Sequence, residues 1–558
     1  MKARLSHLLG LCVCAAFLLS ACGSVQALVH APSLKITILY GSEKQTWLDP
    51  LVKQYNDAQH KTAGGKVIVV DATALGSVES GAMIISGQSQ PTVWSPASGL
   101  YIPVENAEWR KTHSDDLVTG TPNNLVLSPV VIAMWRPMAE ALGWPNKPLG
   151  WADIAQLAIS DKGWAAYSYP EWGAFKFGHT HPNYSNSGLV SVLAEAYAAA
   201  GKQRGLAASD LKDPKVQTFM SQVESSIIHY GTSTGFFADR MFTGGPSYLS
   251  AAVMYENLVA AQESARLAGT SSQLSVVAIY PKEGTFWSDH PYAILNAPWV
   301  TAEQREAAKL FETFLRDKPQ QLNALALGFR PADPGVPLSA PLDADHGVDI
   351  QQPKTVLEVP SAAVIDGALA LWRQTKKPVD VTIVLDISGS MGGEKISAAR
   401  TSVGQFVNLL DDNDRLGINV FNNIITPITQ LSTIGPKRAD VSRHVSALVE
   451  GGGTALYDAV SQAYTDMTTN GDPKHIRALV VMTDGQDTDS NGTLDDLLAQ
   501  IGKTSEEGGN AIKVFTIAFG TDADQSVLTK IATAAGGQEY AADPKTVSQT
   551  YAAIATFF

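Results

Sequence analysis

Residues 379–391 read VDVTIVLDISGSM. Val379–Leu385 is a short apolar, β-branched run, the pattern of a strand buried on both faces. It ends at Asp386, and the next alternate residues are Ser388 and Ser390, with Gly389 between them to let the backbone turn closely. A D-x-S-x-S segment at the carboxyl end of a buried strand is well placed, because open α/β sheets bind ligands outside that edge. Two later segments carry the same chemistry. Gly451-Gly452-Gly453-Thr454 brings a third hydroxyl ahead of a helix expected over Leu456–Thr469, and a strand at Arg477–Met482 runs into Thr483-Asp484-Gly485. Together they offer two carboxylates and three neutral hydroxyls. Such an oxygen-only set suits a hard cation, Mg²⁺ first and Mn²⁺ or Ca²⁺ as alternatives, whereas zinc and copper prefer nitrogen or sulfur. So few anionic ligands leave the cation under-neutralised, and an external carboxylate can complete its shell.

DISGS, GGT and TDG, in that order and on those elements, resemble the metal-ion-dependent adhesion site of von Willebrand factor type A (VWA) domains. Asp386, Ser388, Ser390, Thr454 and Asp484 occupy the five expected positions. The resemblance covers about 379–558. It implies a doubly wound, Rossmann-like domain with helices on both faces of a mainly parallel sheet, a bound divalent cation, and a protein partner reached through a metal-bridged carboxylate. A simple capping role for Asp386 and its serines explains one segment but not the other two. Neither serine sits in a G-x-S-x-G elbow, and no histidine pairs with them. Asp487-Thr488-Asp489-Ser490-Asn491-Gly492 looks like the start of an EF-hand loop, but its twelfth position is Leu498 where a bidentate Glu is required, so it reads as a solvated loop beside the metal face.

Further strands are expected in this region at Arg415–Phe421, Ile424–Leu431 and Ile512–Phe519, with helices at Ile396–Asp411, Asp440–Leu448 and Ser526–Ala535. Upstream, residues 341–378 read as a linker holding one short helix, Ala362–Thr375, after a turn-rich stretch that includes PADPG and LDADHG. Before that, β-branched runs at Leu34–Tyr40, Lys66–Asp71 and Pro129–Trp135 alternate with helical patterns at Thr46–Gln59, Gly188–Ala200 and Ala302–Asp317, which argues for a second α/β unit.

That unit, 34–340, is similar to type II bacterial solute-binding proteins in its opening strand and Gly41-Ser42, in Val93–Ser98 (VWSPAS), in His181–Gly188 (HPNYSNSG) ahead of a helix, and in Gly328–Gly335 (GFRPADPG). The resemblance implies a two-lobed, periplasmic-binding-protein-like fold, with lobe one at about 34–130 plus 265–340 and lobe two at about 131–264. A small solute or oxyanion would lie in the cleft. Hydroxyls and helix N-terminal amides hold oxyanions without a countercharge, so Ser42, Ser98, Ser187 and Tyr255 are the candidate contacts, each with a helix-capping alternative. His179 and His181 form an H-x-H that reads as a solvated pair.

Residues 1–22, MKARLSHLLGLCVCAAFLLSAC, place Lys2 and Arg4 before an apolar run too short to cross a bilayer, the pattern of a signal peptide. Leu19-Ser20-Ala21-Cys22 resembles the bacterial lipobox, which implies removal of 1–21, lipid on Cys22, a tether over 22–33 and an extracytoplasmic, membrane-anchored location. All three cysteines, Cys12, Cys14 and Cys22, lie in this leader, so the body has no disulfide, thiolate or cysteine chemistry. A net charge of −13 makes nucleic acid a poor partner. No nucleophile–base or acid–base pair stands out, so the expectation is a binding protein rather than an enzyme. The alternative reading is the substrate receptor of an ABC-type transporter with an accessory VWA domain.

Overall fold

The computed structural model describes residues 32–231, 233–271, 273–505 and 512–558; the leader and Cys22 lie outside them. Among the described residues no helix is long and apolar enough to cross a membrane.

Residues 33–331 build two sheets. In the first, Ser33–Gly41 lies between parallel neighbours Val67–Leu75 and Val93–Ser95, and antiparallel Pro291–Ile294 and Asn123–Asn124 complete the order. In the second, the long strand Val126–Trp135 pairs antiparallel with Ala251–Tyr255, and Phe177–Gly178 extends that side. Chain crossings at 124–126 and 288–291 join the sheets, so the body is two α/β lobes on shared connections.

One assignment from sequence needs correction. Val276–Ile279 pairs with Val126–Trp135 in the second sheet, so this strand belongs to lobe two and not, as the sequence pattern predicts for 265–340, to lobe one. All four of its residues are buried, and the alternating inward and outward pattern that would have marked its sheet is missing.

The stretch 341–378 is also more than a tether. Leu342 and Val348 pack with Ala260, Leu325 and Val336, and Val356 bridges to Thr285. The helix Ala362–Thr375 buries Val364, Ile365, Ala368, Leu371 and Trp372 against the helices Asn186–Ala200 and Pro214–Glu224 of the second lobe. Trp372 meets Tyr230 and His181 edge-on, with ring centroids 5.4 and 4.9 Å away. The side chains at that helix spacing bury an apolar stripe, which is what holds a helix in place.

The C-terminal domain is a six-stranded sheet in the order Ile425–Thr433, Arg415–Phe421, Val379–Asp386, Ile476–Thr483, Lys513–Phe519, Glu539–Ala542. Only the edge strand Ile425–Thr433 is antiparallel. Val381, Ile383 and Leu385 face a core completed by Glu394–Leu409 and Val547–Ala555, and Val384 faces the opposite core under Leu456–Asn470 and Gln525–Ala534. Helices on both faces explain why the central strands read as unbroken apolar runs.

Candidate functional site

The strand Val379–Asp386 delivers Asp386, fully buried, to the carboxyl edge of the sheet. Its Oδ1 accepts the Ser388 amide at 2.7 Å and its Oδ2 accepts the Thr483 hydroxyl at 2.6 Å, so the carboxylate is oriented by its own loop and by the end of the neighbouring strand Ile476–Thr483. Ser388 Oγ lies 3.0 Å from Ser390 Oγ, which donates to Asp484 Oδ1 at 2.7 Å. A Cβ built on Gly485 would stand 3.8 Å from both Ser390 Oγ and Thr454 Oγ1, so a bare glycine keeps the space between these groups open. The five oxygen-bearing residues named from sequence therefore converge from three separate loops.

The loops are tied to one another by backbone. Gly389 N donates to Gly452 O at 3.0 Å, Gly451 N to Ile387 O at 2.8 Å, and Ala455 N to Asn422 O at 2.7 Å. Gly452 adopts φ +90°, so the loop needs glycine on conformational grounds. Burial pushes the Asp386 carboxyl above the ordinary carboxylate range, and the nearby Asp484 adds to this, against the pull of the Thr483 and Ser388 hydrogen bonds. A cation would offset that cost. One cation is already present: the Lys395 ammonium, on the first turn of Glu394–Leu409, donates to Asp484 Oδ2. Sequence reading passed over it because an exposed-looking lysine on a helix is ordinary.

The loop that resembles half an EF-hand is structural. Asp489 Oδ2 accepts the Thr454 amide at 3.0 Å, Asp487 Oδ1 accepts the Tyr457 amide at 3.2 Å, and Asn491 and Gly492 amides donate to Asp458. Its carboxylates thus cap the start of Leu456–Asn470 and hold Thr454 in place.

In the two-lobed body, Ser42 Oγ donates across the cleft to Ser233 Oγ at 2.9 Å and accepts the Gly235 amide at 3.3 Å. Ser187 Oγ sits 2.7 Å from Thr180 Oγ1 and accepts Thr234 Oγ1 at 2.9 Å; Tyr255 OH accepts Asn186 Nδ2 at 3.0 Å and Thr234 Oγ1 at 3.3 Å. Ser42, Ser187 and Tyr255 are therefore joined through Ser233 and Thr234, all of them buried. Ser98 is not part of this network: its Oγ accepts the Leu100 amide two residues on at 3.2 Å, a local turn ahead of the helix Tyr101–Trp109. The sequence reading missed Ser233 and Thr234, although Ser233-Thr234-Gly235 ahead of the helix Thr234–Tyr248 repeats the signal of Ser185–Gly188 ahead of Asn186–Ala200. It also missed Lys44, fully buried beside the cleft. Lys44 Nζ donates to Glu43 Oε1 at 2.8 Å and lies 3.2 Å from His290 Nδ1. Burial raises the Glu43 carboxyl, but Lys44 and His290 outweigh it and hold it at about 2.

His179 and His181 are a second correction. Both are buried, at 0% and 8% exposure, not solvated. His181 packs on Trp372, and the connector helix covers what the isolated sequence shows as a polar loop.

A family model described as bacterial extracellular solute-binding protein matches residues 36–330, more than half of the chain. The chain belongs to that family. The von Willebrand factor type A domain model matches residues 380–552, so this solute-binding family member carries a VWA domain behind its two lobes. An uncharacterized protein of Mycobacterium tuberculosis is 23% identical over 523 residues, which cover 87% of this chain and 71% of the relative. Among solved structures, a periplasmic thiamin binding protein is 14% identical, covering 63% of this chain and 98% of its own, with TM-score 0.44. A von Willebrand factor type A protein from Catenulispora acidiphila is 26% identical, covering 32% of this chain and 42% of its own, with TM-score 0.29.

Proposed function

We propose that this solute-binding family member is an extracytoplasmic binding protein, anchored to a bacterial membrane by lipid on Cys22, whose VWA domain binds a divalent cation and, through it, a carboxylate of a protein partner. The observation that carries the reading is the convergence of Asp386, Ser388, Ser390, Thr454 and Asp484 around the space left open at Gly485. These oxygens would hold Mg²⁺, with Mn²⁺ or Ca²⁺ as the alternatives, and the cation would supply a Lewis-acid contact for an external Asp or Glu. Asp386 and Asp484 set the charge of the site, the hydroxyls add neutral donors, and the capping loop at 487–492 keeps Thr454 in position.

The test is calorimetric titration of the full chain with Mg²⁺, Mn²⁺ and Ca²⁺ beside Asp386→Ala, followed by cross-linking to membrane-fraction proteins with Mg²⁺ or with chelator. Saturable binding lost in the variant, and a cross-linked partner lost with chelator, support the reading. A folded wild type that binds none of the three ions and gives the same cross-links in both conditions overturns it. Lipid attachment is tested separately, by the release of Cys22→Ser from the membrane fraction.

A second reading has its own observation. The buried hydroxyl network of Ser42, Ser187, Thr234, Ser233 and Tyr255, at the starts of two helices, is suited to a small oxyanion or polar solute. On that reading the chain delivers a solute to a membrane permease and the VWA domain is accessory. The two are compatible if solute binding changes partner affinity; equal partner affinity with and without solute would separate them.

A further inference from the structure

The second lobe contains a cluster that neither the cleft nor the VWA site uses. His179, Glu195 and Glu224 are all fully buried, and one ligand atom from each lies within 4.8 Å of the others. His179 follows the strand Phe177–Gly178, Glu195 is in the helix Asn186–Ala200, and Glu224 ends the helix Pro214–Glu224.

Their hydrogen bonds show what is missing. His179 Nδ1 is 2.7 Å from Thr180 O. A carbonyl only accepts, so Nδ1 carries a proton, and Nε2 points into the cluster, 3.1 Å from Glu224 Oε1. Glu224 Oε2 accepts the Tyr230 hydroxyl at 2.6 Å. An imidazolium–Glu224 pair would satisfy those two residues but would leave Glu195 unexplained. Both Glu195 oxygens are buried and have no hydrogen-bond partner. A carboxyl without a partner in a dry interior is costly in either protonation state.

We propose that His179 Nε2, Glu195 and Glu224 form a structural site for a divalent transition cation, zinc first and Mn²⁺ second, inside the second lobe. One neutral imidazole and two carboxylates neutralise a divalent ion and match the nitrogen and oxygen donors zinc accepts at ~2.0–2.2 Å. The site has the outer contacts such ligands need: a backbone carbonyl on the far nitrogen of His179, and a phenol on the free oxygen of Glu224. These are Thr180 O beside His179 Nδ1 and the Tyr230 hydroxyl on Glu224 Oε2. The donors differ in kind from the oxygen-only VWA set, so the two sites select different ions.

The site stitches together two helices and a strand end at a junction. The helix that carries Glu195 begins with Asn186 and Ser187 in the cleft, and Tyr230, bonded to Glu224, donates its amide to Phe557 O of the C-terminal domain at 3.2 Å.

The experiment is elemental analysis by plasma mass spectrometry of the full chain, purified without metal resin or chelator, alongside Glu195→Gln, His179→Gln and Asp386→Ala. The expected result is one equivalent of zinc or manganese in the wild type and in Asp386→Ala, and its loss in Glu195→Gln and His179→Gln. Because His179→Gln risks misfolding, Glu195→Gln, which keeps shape and removes charge, carries the decision, with circular dichroism checking its fold. Stripping the wild type with chelator should lower its melting temperature, and one equivalent of Zn²⁺ should restore it, with no such response in Glu195→Gln. A wild type without metal whose melting does not respond to Zn²⁺ or Mn²⁺ overturns the proposal. So does equal metal content in wild type and Glu195→Gln, or a Glu195→Gln protein more stable than the metal-supplied wild type.

Discussion

At the scale of single residues, the VWA site balances attraction against a resident charge. Asp386→Ala removes a carboxylate that the Ser388 amide and the Thr483 hydroxyl orient, and divalent-cation affinity should fall by more than ~100-fold in a calorimetric titration, beyond the loss typical of groups that merely support a ligand. Lys395 acts in the opposite direction. Its ammonium holds Asp484 Oδ2, so an entering cation meets a like charge. Lys395→Met should tighten Mg²⁺ binding about tenfold, the ~1.4 kcal/mol expected of one like charge a few ångströms away in a half-solvated site. Unchanged or weaker binding would show that Lys395 instead orders Asp484 for the metal. The five ligand candidates were legible because a strand end, a glycine turn and alternate hydroxyls leave a pattern in adjacent letters. Lys395 was not legible, because its meaning comes from Asp484, 89 positions away in sequence.

At the scale of elements, loops and helix ends do the positioning. Gly452 carries the φ +90° turn that lets its carbonyl take the Gly389 amide. Gly452→Ala should cost on the order of 1–3 kcal/mol in a melting experiment, the range for a non-glycine residue in that backbone region, and should weaken cation binding as well, since the turn holds two ligand loops together. Five strands and four helices of the C-terminal domain could be read within a few residues of their observed ends because apolar runs and amphipathic stretches alternate there, whereas the short edge strand Glu539–Ala542 and the helices Leu494–Ser505 and Val547–Ala555 went unread. The placement of Val276–Ile279 could not, because a fully apolar four-residue strand fits either sheet and only pairing decides. The connector helix Ala362–Thr375 was legible as a helix but not as part of the second lobe: Trp372 needs Tyr230 and His181 to show that it is buried. The same helix explains why His181 reads wrongly as solvated, while His179 is buried beside Glu224 and Tyr230 within the second lobe. The helix Thr234–Tyr248 joins two sites: it begins at Thr234 in the hydroxyl network, and further along Arg240 reaches Gln538 of the C-terminal domain.

At the scale of the whole molecule, the VWA domain is docked on the second lobe rather than strung from it. Between them lies a cavity of about 680 Å³ lined by His229, Arg240, Tyr248, Gln538, Tyr540 and Phe557 among others. Lys513, half-buried at this junction over the Tyr248 ring, is held at about 8 by burial and by Lys176 and Arg240. Its folded value is below its unfolded one, so between pH 8 and about 10.5 the unfolded chain binds more protons and stability rises with pH. Below pH 8 the full cost of the buried ammonium is present. Lys513→Met should therefore raise the melting temperature at pH 7 and flatten its rise between pH 8 and 10; a steeper rise in the variant would assign the effect to another group.

The docking through Tyr230, Arg240 and the connector helix makes the VWA domain the far end of a lever. If the two lobes turn about the crossings at 124–126 and 288–291, the domain travels with one of them, and a small angle at the hinge becomes a large sweep of the face that carries Asp386. A pair of fluorophores, one on the first lobe and one on the VWA domain, would then act as a gauge of cleft occupancy, and a partner grasped by that face would feel the opening and closing as a pull.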